Sequence, residues 1–319
     1  MKIVILDGYA TNPGDLSWAA LEQLGDVAVY ERTPPESVVE RAKEAEIVLT
    51  NKTLLGEREF SQLPNLKYVG ILATGYNTVD IVAAKKRGIP VTNIPAYSTD
   101  SVAQMVFALI LELCTHVQEH SNAVHAGEWE ASIDFSFWKY PLIELAGKTL
   151  GIIGFGRIGR KTAQIAYAFG MNVIGYGRNP DPAYTHSNFK WASMDELLQE
   201  SDFVSLHCPL FTETEGIINK ERLSKMKKSA FLINTSRGPL VIEDDLREAL
   251  EGGVIAGAAL DVLSAEPPRG GNPLIGAKNC IITPHIAWAT KEARGRLINI
   301  AVENVRKYLC GSPVNVVNQ

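Results

Sequence analysis

Apolar residues fall along the first hundred positions in short β-branched runs, Ile3 to Leu6, Val27 to Tyr30, Ile47 to Thr50, Leu66 to Leu72 and Val91 to Ile94, with mixed polar stretches between them. Each run has strand length, and an intervening stretch such as Val79 to Arg87 has helical spacing and stops at Gly88, where a helix C-terminal cap would sit. Strands alternating with helices predict a parallel sheet covered on both faces, because parallel strands need a crossover connection and a helix usually supplies it. At Ser98 the pattern changes to one long apolar-periodic helix running to about Asn122. A second alternating series starts at Lys148, with strands expected at Thr149 to Ile153, Asn172 to Tyr176, Phe203 to His207, Ala230 to Asn234, Val254 to Ala259 and Cys280 to Thr283. Ser193 and Glu196, just ahead of Leu197 and Leu198, have the spacing of a capping box. A last helix is expected from about Lys291 to Tyr308. The pattern predicts two doubly wound α/β domains, the second inserted into the first: residues 1–98 with 287–319, and residues 99–286. The helices from Ser98 and Lys291 would cross between them, although by pattern alone the final helix also fits wholly within the second domain.

A length of 319 residues suits two such domains, each able to bury its own core. The 31 basic and 36 acidic residues leave a formal net charge of -5, and the only basic clusters, Lys85-Lys86-Arg87 and Lys227-Lys228, are short. They read as solvated helix ends, so no nucleic-acid partner is expected. The longest apolar segment, Val102 to Cys114, is interrupted by Gln104 and Glu112 and does not read as a membrane span. The apolar run at the N-terminus is too short for a secretion signal. The four cysteines, Cys114, Cys208, Cys280 and Cys310, show no C-x-x-C spacing and stand in apolar contexts, which points to a reduced, cytoplasmic setting.

The first chemistry lies at Gly154-Phe155-Gly156-Arg157-Ile158-Gly159, a G-x-G-x-x-G directly after a predicted strand and opening an apolar-periodic helix. In that context the first glycine makes a tight turn, the second lets backbone approach a pyrophosphate, and the third lets helix pack on strand. The helix N-terminus adds N–H donors and a positive dipole end. A dinucleotide, NADP or NAD, is the expected cofactor. Selectivity for NAD normally rests on an acid at the end of the next strand; here Gly177-Arg178-Asn179-Pro180 stands there, and the first acid is Asp181, between two prolines. Gly177 leaves room for a 2′-phosphate and Arg178 can pair with it, so NADPH should serve at least as well as NADH.

Three polar residues then stand just past the ends of successive predicted strands: Arg237 in Asn234-Thr235-Ser236-Arg237-Gly238, Glu266 after Leu260-Asp261-Val262-Leu263-Ser264-Ala265, and His285 after Thr283-Pro284. Singly they are a surface cation, a turn carboxylate and a satisfied imidazole. Together they make a carboxylate binder, a general acid/base and a group to orient it, at the sheet edge where open α/β folds bind ligands. His116-Val117-Gln118-Glu119-His120 has the H-x-x-E-H spacing of an inverted zinc-protease motif, but it lies in a helix already occupied as a crossing, and no metal is expected.

These segments resemble the D-isomer-specific 2-hydroxyacid dehydrogenase family over nearly the whole chain. The carriers are the glycine loop, Ser201 to Pro209, and Phe231 to Gly238; Pro284 to Thr290, Phe135 to Trp138 and Val102 to Gln104 point within it to the glycerate dehydrogenase/hydroxypyruvate reductase group. The resemblance implies a Rossmann dinucleotide-binding domain inserted into a flavodoxin-like substrate domain, an active site in the cleft between them, and a homodimer. It implies hydride transfer between NAD(P)H and a small D-2-hydroxy acid or 2-oxo acid, glycerate/hydroxypyruvate or glyoxylate. Arg237 would hold the substrate carboxylate together with backbone donors from Ala73, Thr74 and Gly75. His285 would move the proton, Glu266 would favour its imidazolium form, and Trp288, with Trp138, would crowd the pocket. Asp261 would accept from the nicotinamide carboxamide, and His207, Pro209, Thr214, Thr235 and Ser236 would line the cofactor cleft. Two positions depart from the family pattern: Ile242 stands where many members have Asp or Asn, and Gln104 where many have Glu. Two other readings stay open, a phosphoglycerate dehydrogenase-like enzyme and a non-catalytic dinucleotide sensor of the corepressor type.

Overall fold

The computed structural model describes residues 1–319 and divides into two compact units, Met1–Ser98 with Trp288–Gln319, and Thr99–Ala287. In the first unit five strands, β1 (Lys2–Ile5), β2 (Asp26–Val29), β3 (Ile47–Thr50), β4 (Tyr68–Ile71) and β5 (Val91–Thr92), form one parallel sheet in the order β2-β1-β3-β4-β5. This is the flavodoxin-like order. Its side chains alternate strictly. Val4, Val48, Val69 and Val91 enter the core on one face, and Ile3, Ile5, Ile47, Leu49 and Tyr68 the core on the other. Both faces are therefore buried, and the strands read as continuous apolar runs.

The helix Lys291–Leu309 puts Ala293, Leu297, Ile298, Ala301, Val302 and Val305 into that second core, at the spacing of one helical face. Packing thus gives the final helix to the first unit's sheet. Its start is capped by the Thr290 hydroxyl, which accepts from the Ala293 amide.

The second unit holds seven parallel strands: β6 (Thr149–Ile153), β7 (Asn172–Tyr176), β8 (Phe189–Trp191), β9 (Phe203–Leu206), β10 (Phe231–Asn234), β11 (Gly257–Leu260) and β12 (Cys280–Ile282). They run in the order β12-β11-β10-β9-β6-β7-β8, the Rossmann order with one strand added. Again the two faces alternate, Ile153, Val204, Leu206 and Leu232 into one core and Leu150, Ile152, Phe203 and Ile233 into the other. The capping box expected at Ser193 and Glu196 is present.

Three features differ from the reading of the pattern. The long helix expected from Ser98 to Asn122 is two helices, Thr99–Thr115 and Val117–His125, bent by 55°. His116 between them takes a left-handed backbone with φ of 46°, which apolar spacing does not signal. Strand β8 was not expected; it is a three-residue edge strand, shorter than a periodic signal needs. Cys310, read as apolar in setting, is exposed at the C-terminal end of the last helix, while Cys114 is buried. No helix by itself is long and apolar enough to cross a membrane.

Candidate active site

The glycine loop performs three separate tasks. Gly154 ends β6 with φ of 99°, and a Cβ there would lie 2.4 Å from the Cys208 nitrogen and 2.5 Å from the His207 carbonyl carbon. A Cβ on Gly159 would lie 2.5 Å from the Gly154 oxygen, so the helix Arg157–Ala168 can sit this close to the strand only without a side chain there. Gly156 is the opposite case, with nothing within 4 Å of its Cβ position. It is also the N-cap of that helix and offers no side-chain cap, so the first amides, at Arg157 and Ile158, stay free for an anion. The cradle fits the pyrophosphate of a dinucleotide.

Two neighbours carry the same signature. The Thr235 hydroxyl and His207 Nδ1 are buried without a partner in the chain, a costly state unless a ligand completes them. Burial of the ring lowers the His207 pKa from 6.5 to about 4, so the imidazole is neutral at ordinary pH; Nε2 contacts the Ser205 hydroxyl at 2.9 Å. Ser236 and Thr214 are spent locally, Ser236 Oγ donating to the Leu206 carbonyl and Thr214 Oγ donating to that of Pro209. Past β7, Gly177 has no atom nearer than 3.9 Å to its Cβ position. Arg178 lies 5.4 Å from the centre of the Phe211 ring. Asp181 is paired with Arg160 at 2.8 Å, and that guanidinium holds its carboxyl below the usual range.

The sheet then brings the three candidate catalytic residues to adjacent strand ends, after β10, β11 and β12. His285 Nδ1 meets Glu266 Oε2 at 2.5 Å, and Glu266 Oε1 accepts from the Leu263 amide at 3.0 Å. Both side chains are about one-third exposed, 28% for His285 and 33% for Glu266. With Nδ1 committed to the carboxylate, Nε2 is the nitrogen left to face a substrate. Arg237 keeps an exposed guanidinium, with one nitrogen donating to the Ser236 carbonyl at 2.7 Å. Gly238, next in the chain, fits directly against the Glu266 loop: a Cβ there would lie 1.9 Å from the Leu263 carbonyl carbon.

Buried polar groups behind these three hold them. Asn234 is 1% exposed; its amide donates to the Arg237 carbonyl, and its oxygen accepts from the Ser236 amide. Asp261 is fully buried, and its carboxylate accepts from the Thr283 hydroxyl at 2.6 Å, the Ile286 amide at 2.9 Å and the Ala287 amide at 2.7 Å. These donors flank His285, whose φ of 54° is rare for a residue with a side chain. Asp261, expected to receive the nicotinamide carboxamide, thus spends three acceptor positions on the backbone and hydroxyl around the histidine. Asn234 was not singled out from sequence, where its only signal is an amide side chain at a strand end followed by a turn.

In the other unit, the turn after β4 is braced: Thr74 Oγ donates to the Ile94 carbonyl, the Ile94 amide donates to the Ala73 carbonyl, and Asn93 donates to the Thr74 carbonyl. The Trp288 ring packs edge-on to Tyr97 at 6.3 Å. The H-x-x-E-H histidines both lie against the Tyr140 ring. His116 sits at the helix break against the Tyr140 ring, while His120 Nδ1 bonds the His116 carbonyl and its Nε2 accepts from the Lys139 amide.

The chain matches the family model described as D-isomer specific 2-hydroxyacid dehydrogenase, NAD binding domain, over residues 107–287. It is 56% identical over 322 residues to a hydroxypyruvate reductase of Blautia hydrogenotrophica, covering 100% of both chains. The chain belongs to the D-isomer-specific 2-hydroxyacid dehydrogenase family. Another family relative is a glycerate dehydrogenase of Methylorubrum extorquens, 42% identical over 90% of each chain. Among solved structures, an acyclic imino acid reductase in complex with NADPH and D-Arg superposes with a TM-score of 0.84 at 32% identity, covering 99% of this chain and 100% of that one. This dehydrogenase is an NAD(P)-linked oxidoreductase of 2-hydroxy acids.

Proposed function

We propose that this enzyme reduces a small 2-oxo acid, hydroxypyruvate or glyoxylate, to the D-2-hydroxy acid, with Arg237, Glu266 and His285 as its working groups. The observation that carries the reading is the 2.5 Å contact of His285 Nδ1 with Glu266, which leaves Nε2 as the proton-transferring atom. A bound nicotinamide supplies or accepts the hydride. Arg237 presents a planar fork to the substrate carboxylate, which a point charge would hold less specifically. His285 donates a proton from Nε2 to the developing alkoxide in reduction and takes it back in oxidation. Ala73, Thr74, Gly75 and Trp288 enter the proposal as substrate contacts through the family likeness.

Preference for NADPH is supported by the room at Gly177, the cationic Arg178 and the commitment of Asp181 to Arg160. We infer a homodimer, supported by the exposed apolar side chains Trp129, Ile133, Phe135, Trp138 and Leu142 on one segment after the helix Val117–His125. Sedimentation equilibrium showing only monomer at micromolar concentration would remove that inference. A cytoplasmic enzyme of small molecules, rather than of nucleic acid or membranes, is the setting we infer from its charge of -5 and four free cysteines.

The test is a spectrophotometric assay of NADPH and NADH against hydroxypyruvate, glyoxylate, pyruvate and phenylpyruvate. Hydroxypyruvate or glyoxylate should give the highest kcat/KM. A strong preference for phenylpyruvate would overturn the substrate reading, and dinucleotide binding without turnover of any oxo acid would favour the sensor.

A further inference from the structure

We propose that Glu243 is a positioning residue for the acid–base pair, acting at a distance by holding the loop that carries Glu266; this rests on the roles given above to Glu266 and His285. Glu243 opens the helix Glu243–Glu251, and its carboxylate turns toward the segment after β11. Oε1 accepts from the Ser264 amide at 2.8 Å, and Oε2 accepts from the Ser264 hydroxyl and from Asn272 Nδ2, the latter at 2.9 Å. Ser264 and Asn272 bracket Glu266, so one carboxylate ties both ends of the loop.

At the entry to that loop the amide of Leu263 serves Glu266 Oε1, and the next amide, of Ser264, serves Glu243. The peptide between them is blocked from a third direction by Gly238, where a Cβ would lie 2.3 Å from the Ser264 nitrogen. The two N–H groups of one turn are thus divided between the carboxylate that meets His285 and the carboxylate that fixes the turn. The side-chain hydrogen bonds of Glu243 run to Ser264 and Asn272.

All three partners of Glu243 are donors, which sets the chemistry required at this position. A glutamine offers one accepting oxygen and turns an NH₂ toward a donor, so Glu243→Gln keeps size and loses the clamp. Misplacing a catalytic group by about 1 Å can cost on the order of 10²-fold in rate, and a loosened, half-exposed loop should move less than that. We expect Glu243→Gln to lower kcat by about 5- to 50-fold, while the NADPH dissociation constant, read by protein fluorescence quenching, stays at its wild-type value.

A double-mutant cycle separates positioning from general damage. In the Glu266→Gln background there is no carboxylate left to position, and adding Glu243→Gln should cost little more. Ser264→Ala, which removes one of the three bonds and no charge, should give a smaller fall with the same dependence on Glu266, and decides the question should Glu243→Gln fail to fold. Equal losses in both backgrounds, or wild-type kcat in Glu243→Gln and Ser264→Ala, would overturn the proposal. Wild-type kcat in Glu266→Gln alone would instead overturn the catalytic assignment on which it rests.

Discussion

Asp261→Asn probes the support of His285 with a change of one atom. The carboxylate is fully buried and accepts three bonds, two at Oδ1 from Thr283 Oγ and the Ile286 amide and one at Oδ2 from the Ala287 amide. In the better amide orientation Oδ1 keeps its two donors and the new NH₂ faces the Ala287 N–H. The flipped orientation sets it against two donors and is worse. One charge-assisted bond, worth about 1.5–3 kcal/mol, is lost, and a buried donor is left unmet at about 1–3 kcal/mol. Removing a buried charge returns part of this, so a net loss of about 2–4 kcal/mol is expected. The segment that loses its anchor is the one that imposes φ of 54° on His285. The histidine should relax toward ordinary backbone geometry, and kcat should fall about 10²-fold, the usual scale for a misplaced catalytic group. Urea unfolding followed by far-UV circular dichroism gives the stability change, and steady-state reduction of the best oxo acid gives kcat. Stability within about 0.5 kcal/mol of wild type, the range of an ordinary surface change, together with near-normal kcat and weakened NADPH binding, would refute this reasoning. It would show instead that the cofactor is what Asp261 serves.

Arg237→Lys should raise KM for the oxo acid and lower kcat, because an ammonium cannot reproduce a bidentate fork; wild-type kinetics would remove Arg237 as the carboxylate anchor. Gly177→Asp should shift the kcat/KM ratio from NADPH toward NADH, since a Cβ fits there and an acid repels a 2′-phosphate. A wild-type enzyme already favouring NADH tenfold, about 1.4 kcal/mol in transition-state terms, would show the selectivity reading wrong. Ile242→Asn should stabilise the protein by about 0.5–1 kcal/mol, because Ile242 is the N-cap of the helix Glu243–Glu251 and offers no side-chain cap. Its extended backbone suits an Asn cap, and an unchanged or lowered midpoint of urea unfolding would count against that account.

The local pattern of the chain was enough to establish the doubly wound α/β class and the glycine turn between β6 and the helix Arg157–Ala168. Both depend on short-range rules: β-branched runs of strand length separated by helical stretches, and three glycines whose separate tasks follow from the geometry of one strand-to-helix turn. The placing of Arg237, Glu266 and His285 just after strand ends was legible too, because a parallel sheet brings every such end to one edge. Other features needed the tertiary structure. The final helix Lys291–Leu309 fitted either domain by its periodicity, and packing of Leu297 and Val305 on the first unit's core decided the matter. The break at His116 is a single left-handed residue inside an unbroken apolar pattern, and β8 is an edge of three residues. The polar supports were hidden for another reason. Asn234, Glu243 and Asp261 act through bonds to backbone groups up to 26 positions away. Which amides a side chain reaches depends on how neighbouring strands are ordered and which loops they bring together. That ordering is a property of the folded sheet, and no spacing along the chain encodes it directly.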